Sequence, residues 1–160
     1  MIHIAPAQRS DLPLILAFIR EFAEHIQSAD QVSATPAALN QTLFGDRRFA
    51  EVLLARLDDA PAGFALFFHT YSTFLGQPGL YLEDLFIRPA FRNRGLGAAF
   101  MRHLAKLALQ RGCGRFEWAV LTWNEGAMRF YHRLGAEPLD HLRSYRLTGE
   151  ALEKLAHSAE

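Results

Sequence analysis

The chain has 160 residues, which is enough for one domain that buries roughly 70% of its unfolded surface around a hydrophobic core. Half of the residues are hydrophobic and 21% are charged, so the composition is that of a globular protein and excludes a disordered or fibrous one. The 17 Lys and Arg residues are balanced by 17 Asp and Glu, whereas field-driven binders of nucleic acids or anionic membranes carry a basic excess. We therefore expect no nucleic-acid and no membrane partner.

The cysteine and histidine content limits the kinds of site that the chain can form. Cys113 is the one cysteine, so there is no internal disulfide and no Cys-rich metal site. The seven histidines lack the spacing of metal ligands, and we expect no metal. No apolar stretch approaches the ~20 residues of a membrane span, and the first residues lack the features of a secretory signal. These observations predict a soluble, cytoplasmic protein.

The first third of the chain predicts one short strand and two helices. Residues 2–4 alternate apolar and polar side chains, as a strand does. Ser10 and Asp11 then offer an N-cap for an amphipathic helix. Its apolar residues recur at three- and four-residue steps: Leu14, Ile15, Phe18, Ile19, Phe22 and Ile26. Thr35-Pro36 starts a shorter helix that Gly45 ends.

The remainder predicts a sheet interleaved with helices. Two strands at 49–57 and 63–71 form a hairpin around a turn at 58–61, and a third strand spans 80–87 after a loop at 76–79. In order, the later elements are a long helix ended by Gly112-Cys113-Gly114, a strand at 116–121, a helix at 125–134, a last strand at 143–147 and a short terminal helix capped by Thr148. This order predicts a single α/β (α+β) domain over residues 1–160, a mixed sheet flanked by helices.

A Gly/Arg-rich loop, Arg92-Asn93-Arg94-Gly95-Leu96-Gly97-Ala98, lies between a predicted strand and a predicted helix. Free N–H groups and the positive dipole end at a helix start suit an anionic phosphate, and two arginines add donors. The loop is neither a Walker A sequence nor a Gly-x-Gly-x-x-Gly fingerprint. Either the loop binds a phosphate, or it is a plain helix start with two solvated arginines.

Two acids interrupt an otherwise apolar strand at Glu83-Asp84. Acids in such a strand are costly unless they are solvated, paired or functional. Because side chains alternate in a strand, we expect the two carboxylates to lie on opposite faces of the sheet. A pair of structural salt bridges is the alternative to a functional role.

A third segment places a tyrosine two helical turns after an N-cap. Asn124 is a good N-cap, and Tyr131 lies seven residues later on the same helix face. The hydroxyl of Tyr131 could donate a proton there. A capping residue followed by a core tyrosine is the alternative.

Together these segments resemble the GNAT superfamily of acetyl-coenzyme A-dependent N-acetyltransferases. The tracts Tyr81-Leu82-Glu83-Asp84-Leu85-Phe86 and Trp123-Asn124-Glu125 with Phe130-Tyr131 resemble, within it, the diamine (spermidine/spermine) and thialysine acetyltransferases. The resemblance covers nearly the whole chain and implies a mostly antiparallel sheet with two splayed central parallel strands. It also implies acetyl-CoA as the acyl donor, a small primary amine as the acceptor and a homodimer.

The resemblance implies a role for each site residue. Backbone groups of Leu85, Phe86 and Ile87 would hold the pantetheine arm and the acetyl carbonyl. Residues 92–98 (Arg92, Asn93, Arg94, Gly95, Leu96, Gly97 and Ala98) would bind the pyrophosphate, and Asn124 and Tyr131 would contact the cofactor. Tyr131 would act as general acid, and Glu83 would help to remove the proton of the amine through water. Glu83, Asp84, Glu117, Trp118 and Ala119 would line the acceptor side.

Two positions depart from the family pattern. The polyamine enzymes carry several acids after the first helix, but residues 24–30 here contain only Glu24 and Asp30. A small diamine or a lysine-like amino acid needs fewer carboxylates than spermine does. Asn93 stands where the loop often has glycine, which requires that its side chain point to solvent.

Two alternative functions remain open from the sequence. One is an N-acetyltransferase of proteins or peptides, which a wide and shallow acceptor groove would favour. The other is an acyl-CoA-binding regulatory domain without turnover, against which Tyr131 and Glu83 argue.

Overall fold

A computed structural model describes residues 1–158. The chain divides into two compact units, the first spanning Met1–Ala119 and the second beginning at Val120. All of the buried hydrophobic side chains lie in the first unit.

The first unit contains one five-stranded mixed sheet. Its strands are β1 (Ile2–Pro6), β2 (Glu51–Leu57), β3 (Ala60–Ser72), β4 (Gln77–Ile87) and β5 (Arg115–Trp118). They lie in the order β1-β2-β3-β4-β5, antiparallel throughout except for the parallel pair of β4 and β5. The prediction of a mixed, mostly antiparallel sheet is confirmed. Within the described residues β5 is an edge strand.

Three helices of the first unit cover the sheet: α1 (Leu12–His25), α2 (Pro36–Phe44) and α3 (Leu96–Gln110). The helices α1 and α2 bury their apolar stripe against one face, where Phe18 stacks on Phe64 of β3 at 5.6 Å between ring centroids. The apolar side of α3 packs on the opposite face through Leu96, Phe100, Met101, Leu104 and Ala108. The three helices follow the periodicity read from the sequence.

Local chemistry sets the ends of these elements. Thr35 caps α2 by accepting a hydrogen bond from the Ala38 backbone N–H at 3.2 Å. The β2–β3 hairpin turns on Asp58 and Asp59 alone, both at positive φ, as the favoured two-residue turns require. The strand β3 therefore begins at Ala60, three residues earlier than predicted. Likewise β4 begins at Gln77, inside the predicted loop.

The second unit contains two helices, α4 (Glu125–Arg133) and α5 (Gly149–Ala156). Asn124 caps α4, and Gly135 follows that helix in the left-handed conformation, both as predicted. The predicted strand at 143–147 is wrong: the segment is irregular and exposed. Tyr145 and Leu147 would share one face of such a strand, but both are exposed and bury no apolar surface, which a strand needs for stability. The predicted extension of β5 to Leu121 is wrong as well.

Among residues 1–158 no helix is both long and apolar enough to cross a bilayer. The same residues contain no group of three or more His, Cys, Asp or Glu side chains placed to hold a metal ion.

Candidate active site

The parallel pairing of β5 with β4 ends in the middle of β4, where β5 itself ends at Trp118. The ladder between the two strands ends where Leu82 faces Trp118, but β4 continues to Ile87. From Glu83 onward β4 therefore has β3 on one side and no strand on the other. Backbone N–H and C=O groups along this open edge can bind a ligand that runs beside the strand. Leu85 and Phe86 lie in this open stretch, where the family resemblance implies splayed strands, but β5 is an edge strand that ends at Trp118 and does not continue as a diverging central strand.

A β-bulge lies where this pairing ends. Leu66 of β3 faces Asp84, but the next residue, Phe67, faces Leu82, so Glu83 is an extra residue in β4. Leu82 and Asp84 consequently lie on opposite faces, although regular alternation would place them on the same one. The expectation that Glu83 and Asp84 lie on opposite faces assumed a regular strand, and the bulge interrupts that regularity at Glu83. Bulges of this kind redirect side chains and are frequent beside active sites.

Acidic side chains gather on the sheet face that α1 covers. Asp84 lies on this face through its pairing with Leu66, and Tyr81 lies there because its ring contacts Phe68 at 5.2 Å. Glu117 faces Tyr81 across the parallel ladder and so shares the face. Burial, and secondarily the charges of Glu83 and Glu117, raise the pKa of Tyr81. The three carboxylates thus form an acidic patch suited to a cationic amine.

Asp84 and Glu83 differ in their surroundings. Burial, and secondarily the charge of Glu83, raises the pKa of Asp84 to about 6. Glu83 itself is exposed to solvent. An ordinary carboxyl group of aspartate has a pKa near 3.8, so Asp84 loses its proton at a higher pH than a solvated aspartate does.

The Gly/Arg-rich loop leads into α3 without a side-chain cap. Gly95 is the N-cap at φ +83° and ψ 0°, and the first helical hydrogen bond joins the Ala99 N–H to the Gly95 carbonyl. The N–H groups of residues 96–98 precede that bond and have no acceptor within the helix. Asn93, at φ +60°, adopts a left-handed conformation that asparagine tolerates, and its side chain is exposed as expected.

The two arginines of the loop contact the protein itself. The Nε atom of Arg92 donates to the Ile87 carbonyl at 3.0 Å, and its guanidinium lies over the Phe86 ring. Arg94 lies over the ring of Phe91. Arg92 therefore secures the end of β4 to the loop, a contact that the sequence did not predict.

Two residues near this site were missed by sequence reasoning. Arg88 binds both carboxylate oxygens of Glu21 on α1, at 2.7 and 2.8 Å, and donates to the Pro61 carbonyl at 2.9 Å. It thereby ties the end of β4 to α1. His25, in the last turn of α1, packs on Phe86, and burial and the charge of Arg92 lower its pKa. An arginine just after a strand and a histidine near the end of a helix carry no sequence signal for such contacts.

The remaining acceptor-side candidates lie at the end of β5. Trp118 pairs with Leu82 and packs on Phe116 at 4.9 Å, so it lies on the face of α3, opposite to Glu117. Ala119 directly follows the strand and is exposed. Of these candidates, Glu117 is the one that shares a face with Asp84.

Asn124 and Tyr131 belong to the second unit. The Asn124 side-chain oxygen accepts a hydrogen bond from the Ala127 N–H at 3.1 Å, so it serves as the N-cap of α4. Tyr131 lies on the same helix, where its ring contacts Phe130 at 5.3 Å. Burial raises the pKa of Tyr131, so its hydroxyl keeps its proton at neutral pH. A cofactor contact of either residue stays a prediction.

A cavity of about 110 Å³ in the first unit lies apart from these residues. It is lined by side chains of β2, the end of α2 and the last turns of α3, including His103 and Arg111. The Arg111 guanidinium is bound by both oxygens of Glu51, and that contact lowers the pKa of Glu51. The cavity shares no residue with the open edge of β4.

Comparison with known proteins agrees with this arrangement. Residues 17–136 match the model of the acetyltransferase (GNAT) family. The chain is 37% identical to a thialysine N-epsilon-acetyltransferase of Sus scrofa over 96% of each chain. It is 30% identical to an L-ornithine N5-acetyltransferase of Arabidopsis thaliana, covering 96% of this chain and 87% of that protein. An integron cassette protein of V. cholerae superposes with a TM-score of 0.82 at 27% identity, over 98% of each chain.

The open edge of β4 and the glycine-containing start of α3 are features that the resemblance implied. The protein is an acyltransferase of that class. The chain belongs to the GNAT acetyltransferase family.

Proposed function

We propose that this enzyme transfers the acetyl group of acetyl-CoA to the primary amine of a small diamine or a lysine-like amino acid. The observation that carries the proposal is the open edge of β4 at 83–87, which has an acidic patch on one side and leads to the uncapped start of α3. Relatives named for thialysine and ornithine acetylation support the choice of acceptor.

The residues of the first unit fit acetyl-CoA. The N–H groups of residues 96–98 at an uncapped helix start suit a pyrophosphate, and Gly95 has open space where a side chain would stand. The open edge of β4 suits the amide groups of a pantetheine arm, with Leu85 and Phe86 as backbone partners. Acetyl-CoA supplies an activated thioester carbonyl. Asn124 and Tyr131 are proposed as further contacts on the strength of the resemblance.

The acidic patch suits the acceptor. A primary amine with a pKa near 10.4 is mostly protonated at pH 7, and freeing its lone pair costs about 4–5 kcal/mol. Carboxylates at Glu83, Asp84 and Glu117 attract the ammonium ion, and one of them, directly or through water, removes its proton. The neutral amine then forms an N–C bond with the acetyl carbon, and the C–S bond breaks.

The leaving thiolate needs a proton, and Tyr131 is proposed to supply it. Burial keeps the hydroxyl protonated across the neutral range, as a proton donor requires. The tyrosinate regains its proton from the positively charged nitrogen of the tetrahedral adduct, which loses that proton as the amide forms, or from solvent, so protons balance over one turnover.

The few acids at residues 24–30, in the last turn of α1 and just after it, favour a short acceptor. Glu24 and Asp30 are these acids, and His25 in the last turn of α1 has a lowered pKa and adds no negative charge. Spermine carries four amines and requires more compensating carboxylates than a diamine does. We therefore propose that thialysine, ornithine and putrescine are better acceptors than spermine.

A panel of amines tests this proposal. Thialysine, lysine, ornithine, putrescine, spermidine and spermine are each incubated with acetyl-CoA, and free thiol is measured over time. We expect the highest kcat/KM for an amino acid or diamine and a lower one for spermine. A strong preference for spermine would show that acids elsewhere form a polycation site.

The same panel addresses the alternatives. Turnover of lysine-containing peptides with none of the small amines would replace the proposal by protein acetylation. Acetyl-CoA binding without any turnover would indicate a regulatory domain. The resemblance also supports a cytoplasmic homodimer, and sedimentation of the purified protein at several concentrations tests the dimer.

A further inference from the structure

The cavity at the last turns of α3 has a volume of about 110 Å³ and lies apart from the open edge of β4. From the α3 side it is lined by His103, Leu107 and Arg111, which recur at four-residue steps and so form one stripe of the helix. A wider recess of about 430 Å³ shares Arg48 and Glu51 with the cavity lining. The cavity and the recess therefore adjoin at the start of β2.

The inner wall of the cavity is apolar and its rim is polar. Four lining side chains are almost fully buried: Leu43, Val52, Leu53 and Phe67. Arg48 and Arg111 are exposed residues, so they lie where the cavity meets solvent. A molecule with a charged end and a short apolar body fits such a lining, because burying a charge against the inner wall is costly whereas burying a hydrocarbon there is favourable.

The lining carries an uncompensated positive charge. Arg111 donates through both terminal nitrogens to the two carboxylate oxygens of Glu51, and this contact lowers the pKa of Glu51. Arg48 makes no hydrogen bond and no ion pair among residues 1–158, and acts on Glu51 through its charge alone. Of the described residues that line the cavity and the recess, Glu51 is the one carboxylate. The guanidinium of Arg48 is thus left without a counter-ion.

Two histidines add hydrogen-bond donors to the same surface. His103 lines the cavity from α3, and His69 lines the recess from β3, where its Nε2 atom lies 3.5 Å from a terminal nitrogen of Arg111. An imidazole carries at least one N–H in either protonation state. A carboxylate at the rim therefore meets a free guanidinium and imidazole N–H groups, whereas an ammonium ion meets repulsion there.

We propose that the cavity is a binding site for a small organic anion, a carboxylate with a short aliphatic chain. Its charged end pairs with Arg48, and its chain lies against Phe67 and Leu107. The volume sets the length of the chain: a cavity of about 150 Å³ holds benzene, so this smaller one has room for roughly three or four carbons. The site shares no residue with the open edge of β4 or with residues 92–98, and it is independent of the proposed transfer reaction.

Titration of ¹⁵N-labelled protein with butyrate, followed by NMR, tests the site. We expect saturable shifts of the backbone amides at 48–53 and 103–111, with a Kd in the millimolar range, both without CoA and with saturating CoA. Butan-1-ol and n-butylamine keep the chain but lack the negative charge, so at these amides each should bind about tenfold more weakly or worse. Acetate keeps the charge but lacks two CH₂ groups, which should weaken its binding about tenfold.

Variants of two neighbouring arginines separate recognition by Arg48 from the general charge of the surface. Arg48→Gln should weaken butyrate binding about tenfold or more, because a hydrogen bond to a charged group is lost together with the charge. Arg47→Gln is the matched control. The guanidinium of Arg47 lies over the Phe49 ring and lines neither the cavity nor the recess, so its loss should change the Kd by less than about threefold. Both arginines are exposed, so both variants should fold.

A third variant tests the apolar part of the cavity. Leu107→Phe places a larger side chain in the space assigned to the chain, so it should abolish butyrate binding and leave the Kd for CoA unchanged. A folded Leu107→Phe that binds butyrate as the wild type does would overturn the proposal.

The other outcomes that overturn it are equally definite. They are the absence of shifts at 48–53 and 103–111, equal binding of butyrate and butan-1-ol, equal binding of butyrate and acetate, and equal losses in Arg48→Gln and Arg47→Gln. Displacement of butyrate by CoA would place the carboxylate at the cofactor loop and would overturn it as well. Because no acetyl-CoA is present in the titration, a failure of amine acetylation leaves this site standing, and the loss of this site leaves the proposed function standing.

Discussion

At the scale of single residues, environment rather than residue type assigns chemical roles. Asp84 and Glu83 are neighbours of the same chemical class, yet a bulge leaves one against the core and the other in solvent. Tyr131 shows the same effect in the second unit, where burial raises the pKa of its hydroxyl. Asp84, with a pKa of about 6, is still mostly ionised at neutral pH, whereas the raised pKa of Tyr131 keeps its hydroxyl protonated and favours it as a proton donor.

Replacement of Tyr131 by phenylalanine tests its role as a proton donor. Tyr131→Phe keeps the ring and its contact with Phe130 but removes the proton. We expect kcat to fall by about 10²-fold or more while the Kd for CoA stays nearly constant, since the contact strengthens only as the thiolate forms. The defect should not vary between pH 6 and 9, because the raised pKa keeps the hydroxyl protonated there. Near-wild-type kcat, with chemistry limiting, would make Tyr131 a packing residue.

At the scale of elements, the helices differ in whether a side chain accepts a hydrogen bond from the free backbone N–H groups of the first turn. Thr35 caps α2 and Asn124 caps α4 through side-chain oxygens, whereas α3 begins at Gly95 with no side-chain cap. A longer helix with an uncapped start retains N–H donors and a positive dipole end for an anion. Gly97 is the second residue of α3, where a side chain would stand between a ligand and those donors.

Substitution at this second position tests the cofactor loop. Gly97→Val should weaken CoA binding at least tenfold in calorimetry, because the new side chain prevents close approach to the backbone. Ala37→Val is the matched control, since Ala37 is the exposed second residue of α2 and a β-branched side chain there has a comparable intrinsic cost. Equal CoA affinity in wild type and a folded Gly97→Val would rule out pyrophosphate binding at 96–98.

The sequence predicted elements with strong local signals and missed features that depend on pairing. The helices were found because Leu14 to Ile26 and Phe100 to Ala108 repeat at helical spacing and because Thr35 and Asn124 are good caps. The bulge was missed because a single extra residue in β4 appears only when β3 is paired with it. The predicted strand at 143–147 failed because a short alternating pattern without buried partners is weak. The contact of Arg88 with Glu21 joins positions 67 residues apart, which no local pattern specifies.

At the scale of the whole molecule, the two units differ in what stabilises them. The first unit holds the buried hydrophobic core, whereas each of residues 120–158 is half-buried or exposed. Segments with few buried apolar contacts open more readily than core strands do. The second unit nevertheless carries Asn124 and Tyr131, which the proposed function places at the cofactor. Bound acetyl-CoA would then stabilise residues of both units, because a ligand favours the state that it binds.

Amide hydrogen exchange, read by mass spectrometry, tests this expectation. Without ligand, peptides from 120–158 should exchange faster than peptides from β2, β3 and β4, since local opening costs least where least apolar surface is buried. Saturating CoA should slow exchange at 96–99 and also at 124–131. The Gly97→Val variant at the same CoA concentration serves as the control and should show little protection in either segment. Protection confined to the first unit would mean that Asn124 and Tyr131 do not contact the cofactor, and that the proton for the departing thiolate comes from another group or from water.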